Sequence, residues 1–174
     1  MSQVISHNHR FRKRALKHRY PSLSGILSSK NPVKDLSLSG EQATYCVDQI
    51  GSGGFNAEKT ECKIQVFNEL VHIKGWAFQR KNNTCYKEIY IKIDDVFYKT
   101  NHHLHRPDVA TAYNNQGVLK SGFEIVIPRS FIFDGIHQFS LVLIEENRAF
   151  FQETDSVKLI IGYGNQAGPD VKMY

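Results

Sequence analysis

The stretch KEIYIKIDDVFYK, residues 87–99, decides the fold. Ile89, Ile91 and Ile93 occupy every second position, so on a strand they share one face. Asp94-Asp95 then supplies a two-residue turn, and VFYK (96–99) returns, which predicts a hairpin. The same period of two runs outward in both directions. LVHIKGWAF (70–78) puts Val71, Ile73, Gly75 and Ala77 on one face and Leu70, His72, Lys74, Trp76 and Phe78 on the other. CKIQVF (62–67) alternates, and Phe67 and Leu70 flank Asn68-Glu69 as a second turn candidate. GFEIVI (122–127) alternates and is stopped by Pro128. HQFSLVLIE (137–145) and RAFFQ (148–152) flank Glu146-Asn147 as another hairpin, and SVKLIIG (156–162) is the last strand.

Short strands separated by turns predict an all-β fold: an antiparallel, immunoglobulin-like or jelly-roll-like β-sandwich. The single helical piece inside it is 107–113. Residues 1–40 read as a basic flexible arm and linker, 41–162 as the sandwich domain and 163–174 as a polar, Gly-rich flexible tail.

Charge divides the chain at the same place. Residues 1–34 hold eight Lys/Arg and no acid, whereas residues 35–174 hold fourteen Lys/Arg and seventeen Asp/Glu, consistent with the net +5. The basic character therefore belongs to the arm, and the sandwich is mildly acidic and not itself a polyanion binder. Arg10, Arg12, Lys13, Arg14, Lys17 and Arg19 are candidate contacts to nucleic-acid phosphates or anionic lipid headgroups. No window reaches the ~18 apolar residues of a membrane span, so no transmembrane segment is expected. The apolar run Gly25-Ile26-Leu27 is too short for a signal-peptide core, and a cytoplasmic location is expected. Cys46, Cys62 and Cys85 stand 16 and 23 residues apart with no C-x-x-C pair, which reads as reduced thiols in or near a core.

HHLHRPDVATAY (102–113) is the stretch that resembles a chemical site. On a regular strand His103 and His105 share a face and His102 points away. With Asp108 they make three candidate ligands, but no fourth ligand and no H-E-x-x-H spacing accompany them, so no metal site is assigned. Pro107 suits the first turn of a helix, and Asp108 suits its positive N-terminus or cap. Val109, Ala112 and Tyr113 are spaced to dock one helical face on the sandwich, and Arg106 can reach Asp108. Gly-Ser-Gly-Gly-Phe (51–55) is neither a nucleophile elbow nor a phosphate loop, and Glu145 and Glu146 face opposite ways on a strand. No catalytic residue and no cofactor is expected. Trp76, Phe78 and Tyr90 are candidates for an exposed aromatic platform of the kind that holds sugars.

The ordered motifs VHIKGWAFQ, EIYIKIDDVFYKT, RPDVATAY, SGFEIVIP and DGIHQFSLVLIE resemble a recurrent bacterial β-sandwich module found beside glycosyltransferases and other cell-envelope glycan proteins. The resemblance spans about Val71 to Ile161. It implies a non-catalytic sandwich in which Arg106, Asp108, Gly122, Phe123, Gly135 and His137 are scaffold signatures. The expected function is a non-catalytic binding or interaction module associated with cell-envelope glycans or a protein partner. Its candidate ligand-binding residues are Trp76, Tyr90, His103, His105, Arg106 and Asp108. Two alternatives remain: a nucleic-acid-binding or coat-type protein using the arm, and a metal-dependent enzyme at the His102–Asp108 loop.

Overall fold

In a computed structural model, Ile89, Ile91 and Ile93 all turn inward and are at most 3% exposed. The structure describes residues 30–51, 53–54, 61–65, 70–147 and 149–162. The strands are β1 (Ser37–Leu38), β2 (Thr44–Ile50), β3 (Gly53–Gly54), β4 (Glu61–Gln65), β5 (Leu70–Gln79), β6 (Thr84–Cys85), β7 (Glu88–Ile93) and β8 (Val96–Lys99). They continue with β9 (Asn101–Leu104), helix α1 (Pro107–Ala112), β10 (Gly122–Pro128), β11 (Gly135–Ile144), β12 (Phe150–Glu153) and β13 (Val157–Gly162). Strands β7 and β8 form the expected hairpin, with Asp94 in the left-handed region (φ 52) at the turn.

Two sheets face each other. One has seven strands with β11 at its centre: β7 lies on one edge, backed by β8. The other edge of β11 is shared by β12 over Val142–Ile144 and β13 over Gly135–Phe139. The second sheet has six strands in the order β3-β2-β5-β10-β9, with β6 added to β5. The core lies between the sheets. Val71, Ile73, Phe123 and Ile127 from one meet Ile89, Ile91, Leu141, Leu143 and Leu159 from the other, each at most 2% exposed. The alternation read in 70–78 therefore sorts correctly: inward positions are buried, whereas Leu70 and Lys74 are exposed and His72 and Trp76 half-buried. The fold is an all-β sandwich with one short α-helix. Among the described residues no helix is long and apolar enough to cross a membrane.

Two expectations on strand pairing are corrected. Strand β4 does not pair with β5 as a hairpin. It pairs in parallel with β13, and β5 enters the other sheet. The sandwich is thus not wholly antiparallel, since β1 also pairs in parallel with β12. Alternation reports which face is buried and not which edge a strand joins, so it carries no sign of either crossing. Part of the stretch read as arm and linker is seated on the sandwich. Val33 and Leu36 pack beside Tyr90, Val142 and Ile144 on the outer face of the seven-stranded sheet, and β1 follows at once. Two apolar residues in a polar stretch suffice to seat it. Residues 1–29, with the candidate polyanion contacts Arg10 to Arg19, lie outside the described residues, as does the tail 163–174.

Candidate functional site

Two β-bulges shape the outer face of the six-stranded sheet. In β2 the register with β5 runs Val47↔Gly75 and then Gln49↔Lys74, so Asp48 is the extra residue. In β9 the register with β10 runs Leu104↔Gly122 and then His102↔Phe123, so His103 is the extra residue. A bulge breaks the alternation and re-aims the side chain it carries. Glycines make room for both. A Cβ at Gly75 would collide with the Cys46 carbonyl oxygen and the Phe123 ring. At Gly122 it would lie 2.9 Å from both the Leu104 carbonyl oxygen and Arg106 Cγ.

Through that gap Arg106 reaches across β10 and β5. Its Nη1 donates to Asp48 Oδ2 at 2.6 Å. Its Nε and Nη2 grip Asp108 in a two-point contact, at 2.9 Å to Oδ1 and 2.6 Å to Oδ2. The Arg106 N–H donates to Leu119 O at 2.7 Å, so the backbone is pinned as well. The fork of the guanidinium suits this two-carboxylate arrangement, as an ammonium would not. The Arg106 contact holds Asp108 well below the usual carboxylate range, near 2. Asp108 lies in the first turn of α1, at its positive end as expected, and is not the cap. Arg106 occupies the N-cap without a side-chain cap bond, and Pro107 opens the helix as expected.

The histidines do not converge. His103 has φ 62, which takes it out of the regular strand. Its ring lies edge-on to that of His102, with ring centroids 4.5 Å apart. His102 Nε2 lies 2.8 Å from Lys87 O and His103 Nε2 lies 3.0 Å from Tyr86 O, so both rings clamp the chain entering β7. His105 is exposed. Among the described residues no group of three or more His, Cys, Asp and Glu side chains is placed to hold a metal ion.

The aromatic platform is also rearranged. Trp76 stacks on Phe78 (centroids 5.8 Å apart, planes at 20°), and Tyr113 stands edge-on to both, 5.7 Å from Trp76 and 4.9 Å from Phe78. Tyr90 belongs to the other sheet, where it is 6% exposed and donates its hydroxyl to Glu88 Oε2 at 2.7 Å. Trp76 and Tyr90 therefore share no surface, because 70–78 and 87–93 fall in different sheets. The helix meets the sheet through Val109 and Ala110, both buried, while Ala112 faces solvent and Tyr113 is 44% exposed. Of the expected docking face, Val109 and Tyr113 meet the sheet through Phe78 and Trp76, and Ala110 takes the buried place expected of Ala112.

Cys46 sits across from Trp76 in the neighbouring strand. Burial pushes its thiol up, and the adjacent Asp48 carboxylate pushes it further the same way. A thiol held protonated is a poor nucleophile. Burial likewise raises Cys85, whose Sγ lies 3.6 Å from Gly117 O. Both are free thiols. The partly exposed pair Trp76–Tyr113, with Cys46 across from Trp76, lies on the same sheet as the Asp48–Arg106–Asp108 cluster. Of these, Asp48, Cys46 and Tyr113 escaped the reading of the sequence as site residues. Asp48 and Cys46 are nearly sixty positions from Arg106, and the bulge that aims Asp48 leaves no mark in the alternation.

No known family's model matches the chain, and no curated protein matches it. Among solved structures it is similar to part of the X-ray structure of the endo-beta-1,4-mannanase from Thermotoga petrophila, at 12% sequence identity and a TM-score of 0.43. The match covers 74% of this chain and 21% of that one, so this chain spans about a fifth of that protein's length. A likeness of this extent says nothing about activity.

Proposed function

We propose that this protein is a recognition module that acts by binding and not by catalysis. Its contact surface is the outer face of the six-stranded sheet around Trp76 and Tyr113, and its ligand class is the glycans of the bacterial cell envelope. One observation carries the reading. Four reactive groups of the 102–108 stretch, His102, His103, Arg106 and Asp108, are occupied by the fold's own contacts, while an aromatic corner stays partly open on the same sheet. Arg106 donates to two carboxylates and the His102 and His103 rings rest on backbone carbonyls. Tyr113, at 44% exposure, is the most accessible large side chain of the aromatic cluster. Such a corner suits the apolar face of a sugar ring. The motif resemblance across Val71 to Ile161 supports the glycan class. The test is glycan-array binding of the full chain beside Tyr113→Ala, with an unchanged amide spectrum as the control for folding. Specific retention that Tyr113→Ala abolishes supports the reading, and failure to retain any glycan counts against it.

A second reading rests on the charge division, +8 over residues 1–34 against −3 over the remainder. Under it the basic arm, with Arg10, Arg12, Lys13, Arg14, Lys17 and Arg19, contacts nucleic acid. Steeply salt-dependent binding that disappears when these six are replaced by glutamine supports this reading. Binding that ignores salt opposes it.

A further inference from the structure

The charges around the aromatic corner depart from the mild acidity of the sandwich as a whole. In KGWAFQR (74–80) the outer positions of β5 read Lys74, Trp76 and Phe78, and Arg80 follows the strand's end, so a cation stands on each side of the aromatic row. Lys120 supplies a third. Val118 packs with Phe78 and Trp76, and Gly117 O lies 3.6 Å from the Sγ of Cys85, the residue across from Phe78 in β6. The turn that leads to Lys120 therefore borders the same row. Lys74, Arg80 and Lys120 are exposed, and among the described residues none of them has an ion-pair partner. Most carboxylates nearby are committed. Arg106 takes up Asp48 and Asp108, and Lys81 takes up Glu41 at 2.5 Å. Glu124, across from Lys74, lies 3.6 Å from His72 Nε2 and forms no ion pair with Lys74. The three uncommitted cations outweigh it.

We propose that the Trp76–Tyr113 corner takes acidic glycans, oligosaccharides that bear carboxylate or phosphate groups, and that Lys74, Arg80 and Lys120 select them. The proposal rests on the recognition reading above and names the ligand class of that same face. Contact between a sugar's apolar face and an aromatic ring is indifferent to charge, so the cations around the ring decide between an acidic chain and a neutral one. Outer positions two residues apart on a strand are about 7 Å apart, and the long lysine stem lets Lys74 reach a substituent on a ring seated over Trp76. Cations at both ends of the row suit a charge that repeats along a chain. A single-stranded nucleic acid also combines rings with phosphates, but successive bases need successive open ring faces. Phe78 is 1% exposed and Tyr113 stands edge-on to Trp76, so the corner offers no such run.

The test uses the full chain and bacterial cell-envelope polysaccharide fragments, separated by anion exchange into a neutral and an acidic pool. Trp76 emission is titrated with each pool, and with the acidic pool after carboxyl reduction and dephosphorylation. The proposal predicts at least tenfold tighter binding of the acidic pool, an advantage erased by high salt and by removal of the acidic groups. It also predicts that Lys74→Gln with Lys120→Gln, two exposed positions, weakens binding of the acidic pool severalfold and leaves that of the neutral pool unmoved. Equal affinity for the two pools, or an acidic-pool affinity indifferent to the double variant, overturns the proposal and leaves the recognition reading standing. Binding of neither pool removes both. A single-stranded oligonucleotide that competes with the acidic pool and loses affinity in the same double variant overturns it in favour of nucleic acid.

Discussion

Arg106 Nη1 donates to Asp48 Oδ2 at 2.6 Å, joining the loop after β9 to a bulge in β2 across two intervening strands. Asp48 is about one-third exposed and Arg106 one-fifth, so the pair is shielded enough to matter and wet enough to limit its worth. Arg106→Lys keeps the charge and loses the fork. The expected cost is about 1–2 kcal/mol in urea denaturation. Asp48→Asn is expected to cost about 1 kcal/mol, because Arg106 keeps Asp108.

Asp108 predicts an acid limb to stability. Its folded value, about 2, lies below the ordinary 3.8 because Arg106 donates to it. A carboxylate depressed by folding contributes fully above its unfolded value and loses that contribution as pH falls through its folded value. Stability assigned to Asp108 is thus present above pH ~4 and fades between ~4 and ~2. Its side chain is 60% exposed, so solvent screens the effect and the limb is shallow. Urea midpoints across this window are expected to fall less in Asp108→Asn than in the native chain, and parallel curves would remove Asp108 as the cause.

The bulge in β2 predicts an intolerant glycine. A methyl group at Gly75 meets the backbone of Cys46 and Val47 and the ring of Phe123, none of which can yield without moving the sheet. Gly75→Ala is expected to destabilise by about 2–3 kcal/mol. Gly40→Ala meets nothing within 4 Å and is expected to stay within about 0.5 kcal/mol of the native chain. Thermal or urea denaturation of the two variants checks the contrast.

Cys46 predicts a reactivity change. Asp48 and burial both raise its thiol, so Asp48→Asn removes one of the two and lowers it. Iodoacetamide labelling of Cys46, followed by peptide mass mapping at mildly alkaline pH, is expected to be several-fold faster in Asp48→Asn. Unchanged labelling would mean that Asp48 does not govern the thiol.

The sandwich was legible because a period of two is a direct record of burial. Ile89, Ile91 and Ile93, or Val71 and Ile73, name their own face. The Arg106–Asp108 contact was legible because both partners lie within one local turn. What was hidden depends on breaks in that period. His103 and Asp48 are bulge residues, and an extra residue in a strand has no signature when every neighbour still alternates. Sheet membership was hidden too. Nothing local distinguishes 70–78 from 87–93, so Trp76 and Tyr90 seemed to share a platform although they lie in opposite sheets.

The chain's only tryptophan, Trp76, is the direct probe of the recognition face. Its fluorescence should be followed during titration with cell-envelope polysaccharide fragments, for the native chain and for Tyr113→Ala. The account predicts a saturable change in Trp76 emission for the native chain and at least a tenfold weaker affinity for the variant, about 1.4 kcal/mol. Emission that stays constant with every fragment, or an affinity indifferent to Tyr113, would contradict it.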